Sequence, residues 1–278
     1  MGHIQEALKH PGQITGLSTG LADLDDMLDG LQPGDMVTVA ARPSLGKTAL
    51  ALTMAAHSAK KGVPVGFFSL EMAQKPLGLR IISTEAHVNS LYLRTGRLGM
   101  EQQEKVREKA TEIMSWKLYI RDDLKGILDI HAAARDLKRM EDVRLVVIDY
   151  LQLCEPPKGQ YGTREQEVSA VSREIKDLAK DLAIPVVALC QLSREPERRA
   201  GGEPKLSDLR DSGSIEQDSD VVILLHAPDK AGKTKDDGED VSHLLELRIA
   251  KHRSGPTGTV RTFFDKESGM IAGWEGRR

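Results

Sequence analysis

The octapeptide Ala41-Arg-Pro-Ser-Leu-Gly-Lys-Thr48 constrains this chain more than any other stretch, because it joins an apolar, strand-like run (residues 36–41) to a helical one (residues 46–61). A strand that turns into a helix through such a loop aims successive backbone N–H groups, and the positive end of the helix dipole, at one point. That point suits a phosphate. Lys47 would reach the outer phosphates of a nucleotide, and the Thr48 hydroxyl would ligate Mg²⁺. The usual pattern opens with Gly, where this chain has Ala41.

Around the loop, apolar runs alternate with helical segments, the signature of a mostly parallel sheet covered by helices on both faces. Strands are expected at residues 36–41, 63–70, 117–121, 144–149 and 184–190. Helices are expected at 46–61, 75–88, 101–115, 126–140 and 164–182. From residue 220 the pattern changes to strands at 220–225, 243–252, 258–264 and 270–274, separated by Gly-containing turns and read as an antiparallel extension of the sheet. Polar stretches at 155–162, 195–205 and 229–240 read as mobile loops. Residues 3–10 carry Ile4, Ala7 and Leu8 at helical spacing, too short a helix to stand without a partner surface. No composition break divides the rest.

Three strand ends carry further chemistry. Residues 145–149 (Leu-Val-Val-Ile-Asp) end in Asp149, a carboxylate placed to hold Mg²⁺ at the tip of a strand beside the phosphate-loop strand. Residues 67–71 end in Glu71, which suits either a base that orients an attacking water or an acid before a helix N-terminus. Residues 186–191 end in Gln191, whose amide could sense a terminal phosphate or simply close a turn. Residues 248–261 hold Arg248, Lys251, Arg253 and Arg261 and no acid, a local charge of +4. On a strand Lys251 and Arg253 share a face, so they suit either a neighbouring copy's nucleotide or a solvated basic edge. The turn at 206–217 offers Arg210 and backbone N–H groups to a phosphodiester; capping of a helix by Ser214 ahead of Gln217 is the simpler reading.

Composition trims these readings. With 39 Lys+Arg against 42 Asp+Glu the net charge is −3, which excludes a generally basic wrapper of nucleic acid but not a few basic groups gathered in one place. Aromatic residues make up 4%, so any grip on single-stranded nucleic acid would be on its backbone rather than by base stacking. The longest aliphatic run, residues 221–225, falls far short of the roughly 20 residues that span a bilayer, and residues 1–20 lack a signal peptide's apolar block. A cytoplasmic location without membrane contact is expected. Cys154 and Cys190 read as reduced structural thiols.

Taken in order, the blocks resemble the ATPase domain of the DnaB-type replicative DNA helicases. They are Thr15 to Gly20 with Leu24-Asp25, Gly30 to Asp35, Ala41 to Thr48, Ser69-Leu-Glu-Met72, Val147 to Gln152, Cys190 to Arg194, Asp208 to Asp220, and Lys251-His-Arg253 followed by Gly255-Pro-Thr-Gly258. Members of that family also use Ala at the place of Ala41. The resemblance implies a RecA-like P-loop NTPase fold over residues 14–278, with residues 1–13 as the end of a linker or N-terminal helix, from either a truncated or a naturally short chain. It implies a homo-hexameric ring that hydrolyses ATP with Mg²⁺ at subunit interfaces and moves along single-stranded DNA, with primase and a helicase loader as partners. Ser44, Gly46, Lys47, Thr48 and Ala49 would hold phosphates, and Arg80 would lie near the nucleotide of its own subunit. Glu71 would be the catalytic carboxylate, Asp149 would bind the metal through water, and Gln191 would couple the γ-phosphate to the DNA loops. Lys251 and Arg253 would reach the neighbour's nucleotide. Arg210, Asp211, Gly213 and Lys158 would contact DNA, Asp211 standing where the family often has Glu. A recombination ATPase of the RecA or RadA type, or a nucleotide-binding assembly module without helicase activity, are the alternatives.

Overall fold

A computed structural model describes residues 14–159, 161–193, 202–209, 213–228, 235–236 and 239–274. Short helix α1 (Ala22–Leu28) precedes β1 (Met36–Ala41), which feeds the phosphate loop and α2 (Lys47–Lys60). There follow β2 (Val65–Ser69), α3 (Gln74–Ala86), α4 (Ser90–Thr95), α5 (Met100–Met114), β3 (Leu118–Arg121), α6 (Ile127–Glu141) and β4 (Leu145–Asp149). A 3₁₀ turn at Leu151–Leu153 leads by a loop to α7 (Arg164–Leu182) and β5 (Val186–Gln191), and another 3₁₀ turn lies at Leu206–Asp208. Then come α8 (Gly213–Asp218), β6 (Val221–His226), a two-residue ribbon of β7 (Lys235–Asp236) and β8 (Glu239–Asp240), and finally β9 (Leu244–His252), β10 (Gly258–Phe264) and β11 (Ile271–Gly273).

The main sheet runs β11-β10-β9-β6-β1-β5-β4-β2-β3. Strands β3, β2, β4, β5, β1 and β6 are parallel, and β9, β10 and β11 are antiparallel. The expected architecture is therefore present, with two corrections. β6 belongs to the parallel set, since the chain returns through α8 to the end of the sheet at which β1 begins; the antiparallel extension starts only at β9. Neither the strand that ends at Asp149 nor β2, two residues beyond which Glu71 lies, flanks β1. β5 lies between β1 and β4, and β2 lies beyond β4, because the crossover through α2 skips two strand positions that later segments fill. Smaller differences are α1, which is not among the expected helices, α4, which follows a turn at His87 in the left-handed region, and the β7–β8 ribbon inside a stretch read as a loop.

Alternation along each central strand builds two cores. Val37, Val39, Phe67, Val147, Leu189 and Ile223 face α1, α2 and α3, while Met36, Phe68, Ile148, Ala188 and Leu224 face α6 and α7. Burying each of these larger side chains stabilises by about 1.5–3 kcal/mol. With both faces covered, the strands read as unbroken apolar runs. α7 has the expected bounds for local reasons. The Thr163 hydroxyl accepts from Gln166 N at 3.3 Å, the Gln166 side chain accepts from Gly162 N at 2.7 Å, and Ala183 in the left-handed region stops the helix ahead of Pro185.

Candidate functional site

The phosphate loop leaves the carboxyl end of β1 and enters α2 through two left-handed residues, Ser44 (φ 62°) and Gly46 (φ 90°). At Gly46 a side chain is disfavoured twice over: by the positive φ, and because a Cβ would stand 3.0 Å from the Phe264 ring, which would have to shift by a few tenths of an ångström. The loop borders a cleft of about 690 Å³, into which Ser44, Gly46, Lys47, Thr48 and Ala49 open. Glu71, Arg80 and Gln191 line the same cleft. Its far end lies between α3 and the β10–β11 turn, where the Thr84 hydroxyl donates to Ser268 O at 3.0 Å.

Asp149 lies beneath this cleft, fully buried. Thr48 Oγ1 donates to Asp149 Oδ2 at 2.8 Å, and Lys47 Nζ stands 3.6 Å from Asp149 Oδ1. Among the described residues, Oδ1 has no hydrogen-bond partner. A hydroxyl and a carboxylate oxygen without a donor, side by side at the mouth of an anion cradle, are the hard oxygen set that Mg²⁺ takes when nucleotide phosphates complete its shell. Among the described residues no group of three or more His, Cys, Asp or Glu could hold a metal ion. The Lys47 ammonium also lies 4.0 Å from the centre of the Tyr150 ring. Burial, then the charges of Glu71 and Asp149, push the Tyr150 hydroxyl above its ordinary pKa.

Glu71 is exposed at the end of a turn that its neighbours fix. Leu70 N donates to Asp149 O at 2.6 Å, and the buried Ser69 hydroxyl donates to Met72 O at 2.6 Å and accepts from Met72 N at 3.2 Å. The N-cap of α3 is Ala73, with no side-chain cap, so Glu71 does not cap that helix. Gln191 is level with Ala41 on the strand next to β1. Its backbone is gripped by the Gln152 amide, whose Nε2 donates to Gln191 O and whose Oε1 accepts from Gln191 N, both at 3.1 Å. Sequence reasoning does not single out Tyr150 or Gln152, although both follow Asp149 in the block Val147 to Gln152.

Lys251 and Arg253 are elsewhere. β9 runs antiparallel to β6, which places Lys251 opposite Val222 and thus level with Thr38, while Arg253 N bonds Asp220 O beside Met36. At about 3.3 Å per residue, Arg253 lies about 16 Å below the carboxyl end of β1 along the strands, at the opposite end of the parallel strands from its own phosphate loop. Both cations do share a side, as their spacing implies: Lys251 Nζ donates to Glu216 O and Gln217 O, and Arg253 NH2 donates to Gln217 O at 2.9 Å, all carbonyls at the end of α8. Burial, then Arg253, lowers the Lys251 pKa.

Of the groups expected at DNA, Lys158 is exposed on the loop that enters α7, and Gly213 is the exposed first residue of α8. α8 packs along the first half of α7 through a Ser214–Ser169 hydroxyl bond of 2.8 Å. That bond also takes the Ser214 side chain away from capping. Arg210 and Asp211 lie outside the described residues, as do residues 1–13. Cys154 and Cys190 are free and buried, with burial pushing their thiols up to about 12 and about 11. No described helix is long and apolar enough to cross a membrane.

Comparison with known proteins gives a consistent relationship. Residues 16–272 match the family model described as the DnaB-like helicase C-terminal domain. The chain is 43% identical over 269 residues to the replicative DNA helicase DnaB of Geobacillus stearothermophilus, covering 96% of this chain and 58% of that protein. It is 41% identical over 278 residues to the replicative DNA helicase DnaC of Bacillus subtilis (strain 168), covering 99% and 60%. It thus spans a little under two thirds of the length of these curated relatives. Among solved structures, one described as an ATPase domain superposes with a TM-score of 0.91 at 36% identity, covering 99% of this chain and 96% of that one. A DnaB-like replicative helicase, described with its interactions with primase, gives 0.91 and 36% over 99% of this chain and 65% of that one. With a match of this extent over a RecA-like sheet and its phosphate-loop cleft, the chain belongs to the DnaB-like helicase family, in the part that family defines as its C-terminal domain.

Proposed function

We propose that the chain is the ATP-driven motor of a ring-shaped replicative helicase that moves along single-stranded DNA, with Mg·ATP held in the cleft above Asp149. The observation that carries this reading is the separation of the cations from the cleft: the phosphate loop with Glu71 and Gln191 lies at the carboxyl ends of the parallel strands, and Lys251 and Arg253 lie toward their amino ends. A head-to-tail contact between copies, closing as a homo-hexamer, brings one copy's cations to the next copy's nucleotide. Family membership favours this over a recombination ATPase.

In this mechanism the loop N–H groups and Lys47 hold the β- and γ-phosphates, with Ser44 and Ala49 at the rim and Arg80 beside the nucleotide of its own copy. Mg²⁺, when bound, neutralises charge on the phosphates; Thr48 and Asp149 are the residues that would hold it, Asp149 through water. Glu71 orients the attacking water and accepts its proton. Lys251 and Arg253 stabilise the charge that develops on the transferred phosphoryl group in the neighbouring site. Gln191 donates to the γ-phosphate and, through Gln152 and the loop beyond it, links its presence to Lys158 and to the segment of Arg210, Asp211 and Gly213 at the DNA backbone. Primase and a loader are the partners proposed for the assembled protein.

Turnover measured by phosphate release tests the arrangement. Lys47→Ala abolishes turnover, and Arg253→Ala abolishes it while nucleotide affinity stays within about twofold, because a cation in trans is used mainly in the transition state. Full turnover in Arg253→Ala overturns the interface site, and a turnover that single-stranded DNA does not raise overturns the motor.

A further inference from the structure

Outside the nucleotide cleft, buried charge concentrates where β6 begins. The Asp220 carboxylate is nearly buried, and both of its oxygens are held. Oδ2 accepts from Met36 N at 2.9 Å and from Lys176 Nζ at 2.5 Å, and Oδ1 accepts from Arg253 NH1 at 2.7 Å. Lys176, itself buried, also donates to Gly34 O at 2.8 Å. The backbone repeats the connection, since Arg253 N donates to Asp220 O at 2.8 Å. By contrast the Arg253 side chain is 52% exposed, so one edge of its guanidinium is fixed and the rest faces outward.

We propose that Asp220, with Lys176 behind it, is a positioning residue for the interface cations: it seats Arg253 on its own copy so that the free edge of the guanidinium is presented to the nucleotide of the next. This rests on the reading of Arg253 given above. Guanidinium has five N–H donors, and Asp220 and Gln217 take two in the contacts seen, leaving donors for a phosphate oxygen. A lone carboxylate would hold the arginine but also cancel its charge. Lys176 eases that objection by sharing the carboxylate with Arg253, and burial followed by the Asp220 charge raises the pKa of Asp35, a second acid within electrostatic reach of the trio. Lys176 also keeps Asp220 paired if the guanidinium swings toward a phosphate, so no buried charge is stranded. Without the seat, a long flexible side chain must be ordered at the moment of reaction, and misplacement of about 1 Å is enough for a loss of about 100-fold.

The test uses subunit mixing. Asp220→Asn alone strands the Lys176 ammonium, so the informative variant is Lys176→Met with Asp220→Asn, which removes the buried pair together. Asp220→Glu is a second variant that keeps the charge and moves it by one methylene. For the double variant, turnover with ATP and single-stranded DNA is expected to fall about 10- to 100-fold, while affinity for a fluorescent ATP analogue stays within about twofold. Asp220→Glu falls in the same direction by less. Each variant is then mixed with Lys47→Ala, which has intact cations but a dead phosphate loop. Random mixing gives about one interface in four with both halves intact, so activity should return. A defect in the fold of the variant's own cleft would not be rescued this way.

Arg253→Ala mixed with Lys47→Ala runs in parallel. If that mixture recovers and the Asp220 mixtures do not, the seat is overturned and the interface site stands. If none recovers, the interface reading falls and the proposal with it. Turnover of the double variant within about twofold of the parent also overturns the seat.

Discussion

Thr48→Val isolates what one hydroxyl does beneath the cleft. Valine keeps the shape and removes Oγ1, so Asp149 Oδ2 loses the donor at 2.8 Å while Oδ1 already has none among the described residues, and the carboxylate is fully buried. A hydrogen bond to a charged group contributes about 1.5–3 kcal/mol. For 278 residues at about 2.1 cal/mol/K per residue the unfolding entropy is about 0.6 kcal/mol/K, so the melting temperature without nucleotide should fall by about 3–5 °C. Ligand then adds a second comparison. At a Mg·ATP concentration 100 times its Kd the parent gains about 2.7 kcal/mol, or about 5 °C, and a tenfold loss of affinity halves that gain. Calorimetric melts in EDTA, with ATP and EDTA, and with Mg·ATP separate the terms. Thr48→Val should lose stability in all three, respond to metal-free ATP as the parent does, and gain only about half as much from Mg·ATP. A variant that melts like the parent in EDTA refutes the Thr48–Asp149 bond as a stabilising contact, and an undiminished Mg²⁺ response refutes Thr48 as a metal ligand.

Gly46→Ala puts a Cβ at φ 90° and 3.0 Å from the Phe264 ring; the left-handed backbone alone costs about 1–2 kcal/mol, so calorimetry should show a melting temperature lower by about 2–3 °C, and titration an ATP affinity lower by at least about tenfold. Cys154 and Cys190 should resist alkylation in the native protein at pH 8 and both react in denaturant, as mass spectrometry would read; rapid native modification contradicts their burial. The same thiols set a pH dependence: unfolded, they release protons near pH 9, whereas folded they keep them to about 11 and about 12, so the folded state binds more protons over that interval and denaturant melts should show stability falling as pH rises through it. Arg210→Ala should weaken single-stranded DNA binding and flatten its salt dependence by about one phosphate contact, about 0.7 in the logarithmic slope, and an unchanged slope removes Arg210 from the interface.

The sequence by itself determined the parts whose causes are local. The Ala41–Thr48 loop, the capped and terminated α7, the apolar runs of the central strands and the two buried thiols all follow from neighbours within a few residues, and each is where the residue pattern puts it. The resemblance to a known family supplied an order of blocks, and with it the pairing of Glu71 and Gln191 with one cleft. Neither strand order nor reach was legible, because both depend on which distant segments share a sheet. That β5 slips between β1, which leads to Lys47, and the strand of Asp149, that β6 runs parallel to β1, and that a bulge between Val222 and Ile223 sets the register of Lys251 are products of long-range pairing. The clearest case is Asp220. In sequence it only closes the block Asp208 to Asp220 and opens an expected strand, 33 residues before Arg253 and 44 after Lys176. The fold brings all three within hydrogen-bonding distance, because β6, α7 and the end of β9 meet at the amino end of the parallel strands, and a buried carboxylate persists there only with both cations beside it.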